Sequence, residues 1–291
     1  MNTEAQNVGG TAEELAAVKL APPRPAAHWG AQLRGILRLE VRKNLLGARV
    51  IPLLLLAALP VGLLILQAVL VPMFGGEAAQ QVDSIGLFAG LYRIYFLKVA
   101  IFASCLVVFV QLFRGDLMDR SLHYYFLCPV RRELLVVAKF LAGLTATALV
   151  LSLSTAASFL LAVLPFSSGG LPSGALGQLF AYSGITVLAC VGYGAVFMLA
   201  GLFFRNPVIP ALALFAWELL NPFLPAVLKQ VSVIYYLSSL LPVEISAGPF
   251  VVLSDLASPW VAIPGLLLVA AVAVAAAALR IRRMEITYSD D

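Results

Sequence analysis

Side chains that do redox, metal or nucleophilic chemistry are scarce in this chain. It holds two histidines, His28 and His123, and three well-separated cysteines, Cys105, Cys128 and Cys190. That pattern supports neither a disulfide framework, a metal cluster nor a Ser/His catalytic pair. No Gly-x-x-x-x-Gly-Lys-Ser/Thr string occurs, so the chain lacks the phosphate cradle of a P-loop and is not expected to hydrolyse ATP. Charge is thin as well: 12% of residues are charged, against about 25% in an average globular domain. The net charge of +4 is sorted by loop rather than spread as a patch, which argues against a nucleic-acid partner. The first 28 residues are Ala- and Pro-rich and lack a basic-then-apolar signal pattern; they are expected to be a disordered cytoplasmic tail.

What the chain has instead is apolar length. Hydrophobic residues make up 62% of it, more than a soluble core needs. The reading is an all-α polytopic membrane protein, because the apolar runs are continuous and lack the alternation of barrel strands. Six spans are expected, at about 50–71, 95–113 (with Ile85 as an earlier start), 134–163, 182–202, 208–228 and 261–279. Pro60 should kink the first. Sixteen of the 19 Lys and Arg residues fall in the tails and in alternate loops; only Arg93, Lys98 and Lys229 fall near the other side. This asymmetry predicts both termini in the cytoplasm and a multi-pass protein of the cell inner membrane. Residues 29–284 then form one transmembrane domain, and 285–291 a short cytoplasmic tail.

Two segments look interfacial. In Trp29 to Leu46, Leu33, Ile36, Leu37, Val41 and Leu45 follow helical spacing, while Arg34, Arg38 and Arg42 line another face. That suits a helix lying in the inner interface, the alternative being the first turns of a long first span. Lys229 to Trp260 is too apolar for a water-exposed loop, yet Pro242, Gly248 and Pro259 break it. Short re-entrant helices at the outer face fit best.

The stretch Arg114 to Lys139 concentrates charge and aromatic residues between two apolar runs. Asp116 to Phe126 can form a short helix, with Asp116 and Asp119 favourably placed at its start and Leu117, Leu122, Tyr125 and Phe126 as apolar contacts. Arg120 and Tyr124 belong to the same surface. Pro129 suits the first turn of the next helix, with Arg131, Arg132 and Glu133 at its cytoplasmic start. Such a loop offers itself to a soluble partner; read alone, it is equally an ordinary positive-inside loop.

The order of these parts resembles the ABC-2 type permease family: a helix before span one, Asp119-Arg120-Ser121-Leu122, then Pro129-Val130-Arg131-Arg132-Glu133-Leu134, Lys139 in the next helix, and an apolar region before span six. The resemblance covers most of the chain from residue 29. Members often carry Gly-Thr where this chain has Arg120-Ser121. It implies a coupling helix between spans two and three that docks on a separate ATP-binding subunit, and a second permease copy, homodimeric or paralogous, enclosing the substrate path. It also implies that ATP and Mg bind the partner and no cofactor binds this chain.

Within the spans, Glu218 is the one deep acid, with Asn221 close behind. It reads either as a polar site on a substrate path or as a structurally paired group. A contrasting function, an ATP-independent channel or secondary transporter, would use Glu218 as its ion site. Val191-Gly192-Tyr193-Gly194 copies a potassium-filter core, but it lies inside a span; close helix packing is the better reading. The hydroxyls of Thr145, Thr147, Ser152, Ser154, Thr155 and Ser158 either line a path or bond to the backbone.

Overall fold

The computed structural model describes residues 29–47, 50–74, 83–118, 132–166, 172–204, 206–230, 232–243 and 257–282. The expected tails at 1–28 and 285–291 lie outside them, as does 119–131. Among the described residues every regular element is helical.

The chain opens with α1 (Trp29–Leu46) and α2 (Val50–Phe74). The next span is built in three parts: α3 (Ser84–Leu91), a π-helical segment (Tyr92–Ala100) and α4 (Ile101–Met118). Asp83 caps α3, its side chain accepting the Gly86 N–H at 3.0 Å. Then come α5 (Arg132–Val163), α6 (Ala175–Phe203) and the short α7 (Val208–Leu220). Two small helices follow, α8 (Ala226–Lys229) and α9 (Val233–Ser238), before α10 (Pro259–Arg282).

Five of these stretches are long and apolar enough to cross a membrane: Val50–Val71, Ser84–Gly115, Glu133–Phe166, Ala175–Phe203 and Pro259–Arg282. The chain is therefore an α-helical, multi-pass membrane protein. The fifth expected span is not continuous. Helix α7 has 13 residues, about 20 Å of rise, against a hydrocarbon core of about 30 Å. Asn221-Pro222-Phe223 tightens into a 3-10 turn and Leu224 leaves the helix in extended geometry, so the run to Leu228 is broken. The second span starts at Ser84, earlier than Tyr95, and its helix runs to Met118. Asp116 and Leu117 thus close the span helix rather than open a separate one.

Helix α6 sits at the centre, packed against α4, α5 and α10, while α1 and α2 both lie on α5. Aromatic rings fill the joins. Phe88, Tyr92, Phe159 and Tyr182 form one cluster, with Phe88 edge-on to Phe159 at 5.1 Å and Tyr92 4.7 Å from Tyr182. Helix α2 faces outward, with Leu54, Leu55, Leu59, Leu63 and Leu66 all exposed. In water such a stripe is a liability; against acyl chains it costs nothing.

Three of the six span hydroxyls bond to backbone. Thr145 donates to the Ala142 carbonyl and Thr147 to that of Gly143. Ser154 donates across to the Ala57 carbonyl at 2.5 Å, tying α5 to α2. Thr155 instead joins Thr186, which with Tyr92 forms a buried hydroxyl cluster. Ser152 and Ser158 keep buried hydroxyls with no hydrogen-bond partner among the described residues.

Candidate functional site

The charges sort to two ends of the bundle. Arg34, Arg38 and Arg42 form the exposed face of α1, as their spacing predicts. They share an end with Arg114, Lys139, Arg280 and Arg282. Leu33, Ile36, Leu37, Val41 and Leu45 are half-buried on the opposite face. That inner face also carries two polar residues, Glu40 and Asn44, 1% and 4% exposed.

Glu40 explains Lys139. The Lys139 Nζ donates to Glu40 Oε1 at 2.6 Å and to the Leu112 carbonyl at 3.1 Å. It also lies 5.6 Å from the centre of the Phe113 ring. Lys139 is fully buried. One ammonium thus joins α1, α4 and α5. A buried pair of this kind is tolerated only when geometry and further hydrogen bonds offset desolvation, as the Leu112 carbonyl does here. Lys139 lies seven residues past Arg132 and Leu112 six before Met118, each about 10 Å of helix. Both flanks of 119–131 therefore emerge within two turns of this joint.

Of the docking residues, Asp116 and Leu117 lie in the last turn of α4. Asp119, Arg120, Leu122, Tyr124, Tyr125, Phe126, Pro129 and Arg131 lie outside the described residues. Arg132 opens α5, and Glu133 beside it pairs with Arg282 of α10. This second ion pair closes the end of an apolar groove of about 670 Å³ between α5, α6 and α10, lined by Val137, Phe140, Val191, Leu267 and Val274. Apart from Glu133 and Arg282, the described lining of the groove is apolar. Among the described residues no three His, Cys, Asp or Glu side chains gather where a metal could bind.

At the other end, Glu218 is 4% exposed and fully engaged. Its Oε1 accepts the Val233 N–H at 3.1 Å; its Oε2 accepts the Ile234 N–H at 3.2 Å and the Ser232 hydroxyl. Glu218 thus caps α9 from a distant helix, while the local residue Ser232 donates instead of capping. Asn221 donates to the Lys229 carbonyl at 3.5 Å and is also buried. All three Glu218 contacts are to the start of α9. Glu218→Ala should speed hydrogen exchange at Val233 and Ile234 by about tenfold or more, since both amides lose a buried acceptor. Glu218→Gln, which keeps one acceptor oxygen, should fall between. Unchanged exchange in Glu218→Ala would refute the cap.

The glycines of α6 face neighbouring helices. A Cβ on Gly192 would stand 2.8 Å from Leu266, one on Gly194 2.5 Å from the Phe109 ring, and one on Gly201 3.2 Å from the Val110 backbone. Gly192-Tyr193-Gly194 is continuous helix, so its carbonyls serve helical hydrogen bonds, not an ion. The sequence reading missed Glu40, Asn44 and Ser232. The only signal was the four-residue spacing of Glu40 and Asn44 within an otherwise apolar stripe.

Compared with protein-family models, with curated proteins and with solved structures, the chain matches none.

Proposed function

We propose that this chain is the membrane-spanning permease subunit of an ATP-binding-cassette exporter of the ABC-2 type, working as a pair and driven by a separate ATPase subunit. ATP and Mg bind that subunit; this chain supplies the path through the cell inner membrane. The observation that carries the reading is the Glu40–Lys139 joint. It fixes a basic interfacial helix to both helices flanking the charged, aromatic segment 119–131, so a push on that segment is delivered to α1, α4 and α5 together. The chain has no P-loop of its own, so the push must originate elsewhere. ATP-driven closure of two ATPase subunits would move the segment and tilt the spans.

The test is assembly. Asp119→Arg and Tyr125→Ala should each cut co-purification of the ATPase and its stimulation about tenfold, with the thermal unfolding of the permease unchanged. Wild-type assembly and activity in both variants would remove the docking claim.

A further inference from the structure

The apolar groove between α5, α6 and α10 has the dimensions of one lipid chain. Along α10 its lining runs from Leu267 to Arg282, about 22 Å of helix. One leaflet counted with its headgroups, half of a bilayer about 40–45 Å thick, has the same depth. A volume of about 670 Å³ spread over that length gives a mean cross-section of about 30 Å². A helix with its side chains is about 10–12 Å across, about three times that area, and does not enter. An extended hydrocarbon chain, about 4–5 Å thick at van der Waals contact, does.

The sequence shapes this groove. Helix α10 contributes Ala271, Ala275 and Ala278, four and three residues apart and so on one face. Their short side chains leave room that larger ones would fill. Ala271 and Ala275 are exposed, as are Val137 and Leu267. All four lie in membrane-crossing stretches, so the groove opens sideways to acyl chains.

The charged end of the groove selects the head. Glu133 in the first turn of α5 and Arg282 at the end of α10 are ion-paired there, at the basic end of the bundle. Glu133 is 38% exposed and Arg282 58%. The two charges satisfy each other, so together they present a dipole and demand no outside charge. A head that carries both phosphate and ammonium is the complementary dipole. Laid antiparallel, its phosphate meets Arg282 and its ammonium meets Glu133, and the ion pair stays intact. A head with a phosphate alone gains at Arg282 and loses at Glu133. A primary ammonium also donates N–H bonds to Glu133, which a trimethylated one lacks.

We propose that this groove binds a phosphatidylethanolamine-type lipid of the leaflet at the basic end, with one acyl chain along α10 and its phosphate–ammonium head on the Glu133–Arg282 pair. The inference rests on the membrane-spanning class and the groove, not on the transport reading.

The experiment reconstitutes the full chain in dioleoylphosphatidylcholine vesicles doped with phosphatidylethanolamine that carries a diazirine on one acyl chain. After irradiation, labelled peptides are read by mass spectrometry. Labelling of α5 and α10 should saturate and be competed by unlabelled phosphatidylethanolamine. Labelling of the outward face of α2, at Leu55 and Leu59, should rise without saturating. Ala275→Phe, which fills the groove, should cut the saturable part about tenfold, and Ala271→Leu about threefold. Val272→Phe adds bulk at an exposed position outside the lining and should cut nothing. All three positions are exposed, so unfolding midpoints should stay near wild type. The head is read by native mass spectrometry in dodecyl maltoside. Wild type should retain phosphatidylethanolamine about fivefold over phosphatidylcholine and over phosphatidylglycerol. Glu133→Gln/Arg282→Gln should hold all three alike. Arg280→Gln, on another side of α10 against Phe203, should keep the preference. Labelling of α10 that saturates no more than that of α2 means annular lipid only and overturns the site. Full labelling in Ala275→Phe, or a wild type that favours phosphatidylglycerol or none of the three, does so too. Dimers cross-linked through α10 in place of lipid labelling would assign the groove to a second copy and likewise overturn it.

Discussion

Lys139→Met is expected to destabilise the protein by about 3–5 kcal/mol, the cost of removing one member of a buried ion pair. The substitution leaves the Glu40 carboxylate in a site that is 1% exposed, without the ammonium now 2.6 Å away. It also strips the Leu112 carbonyl of a donor and Phe113 of a cation. The damage should spread to three helices, because the ammonium bridges all three. Glu40→Leu combined with Lys139→Met should recover much of the loss, since two well-packed apolar groups frequently replace a buried pair at little cost. Unfolding midpoints in detergent would read both values. A loss below about 1 kcal/mol in Lys139→Met would mean the pair is no better than a surface contact. The double variant also separates stability from transmission. Under the proposed function, a joint that carries motion from the 119–131 segment predicts that the double variant folds yet shows weakened coupling between ATP hydrolysis and export.

Gly194→Ala comes next in size, at about 1–3 kcal/mol for overpacking a tight contact. The added methyl would lie 2.5 Å from Cζ of Phe109, a fully buried ring that also packs against Phe140. The ring has nowhere to swing. Phe109→Leu should relieve much of the clash, giving a coupling of about 1 kcal/mol or more in a double-mutant cycle. Gly201 offers the contrast. Its obstacle is the Val110 backbone at 3.2 Å, which no side-chain change at 110 can withdraw. Gly201→Ala should therefore resist second-site repair. Additive effects at 109 and 194 would refute this account of the α4–α6 interface.

The helical class and most span positions were legible because acyl-facing helices leave an unmistakable apolar signature. Leu54, Leu55 and Leu59 face outward just as the span's own hydrophobicity implies. The basic face of α1 was legible too, through the spacing of Arg34, Arg38 and Arg42. The fifth span was misjudged because hydropathy registers Val208 to Leu228 as one apolar run, while Asn221-Pro222 and Pro225 decide its geometry. Glu218 stayed ambiguous because its partners, Ser232, Val233 and Ile234, sit fourteen to sixteen residues on, in a segment whose path the sequence did not define. The Glu40–Lys139 pair was invisible for a similar reason. Its members are 99 positions apart, and a lone Glu on an amphipathic helix looks solvated until its neighbours are placed. The π-helical turn left no trace at all, since composition does not distinguish i+4 from i+5 bonding.

The unequal lengths of the helices bear on the surrounding lipid. Helix α5 has 32 residues, about 48 Å, and overshoots a bilayer core of about 30 Å, whereas α7 with 13 residues falls about 10 Å short. The extra length of α5 lies mostly against its neighbours α1, α2, α6 and α10, whereas α7 presents Val208, Ile209 and Leu212 outward. Lipids beside α7 must shorten or splay to match it, at a fraction of a kcal/mol for each ångström. Beside α7, with those three side chains exposed, the apolar height on offer is thus smaller than beside any of the five long helices.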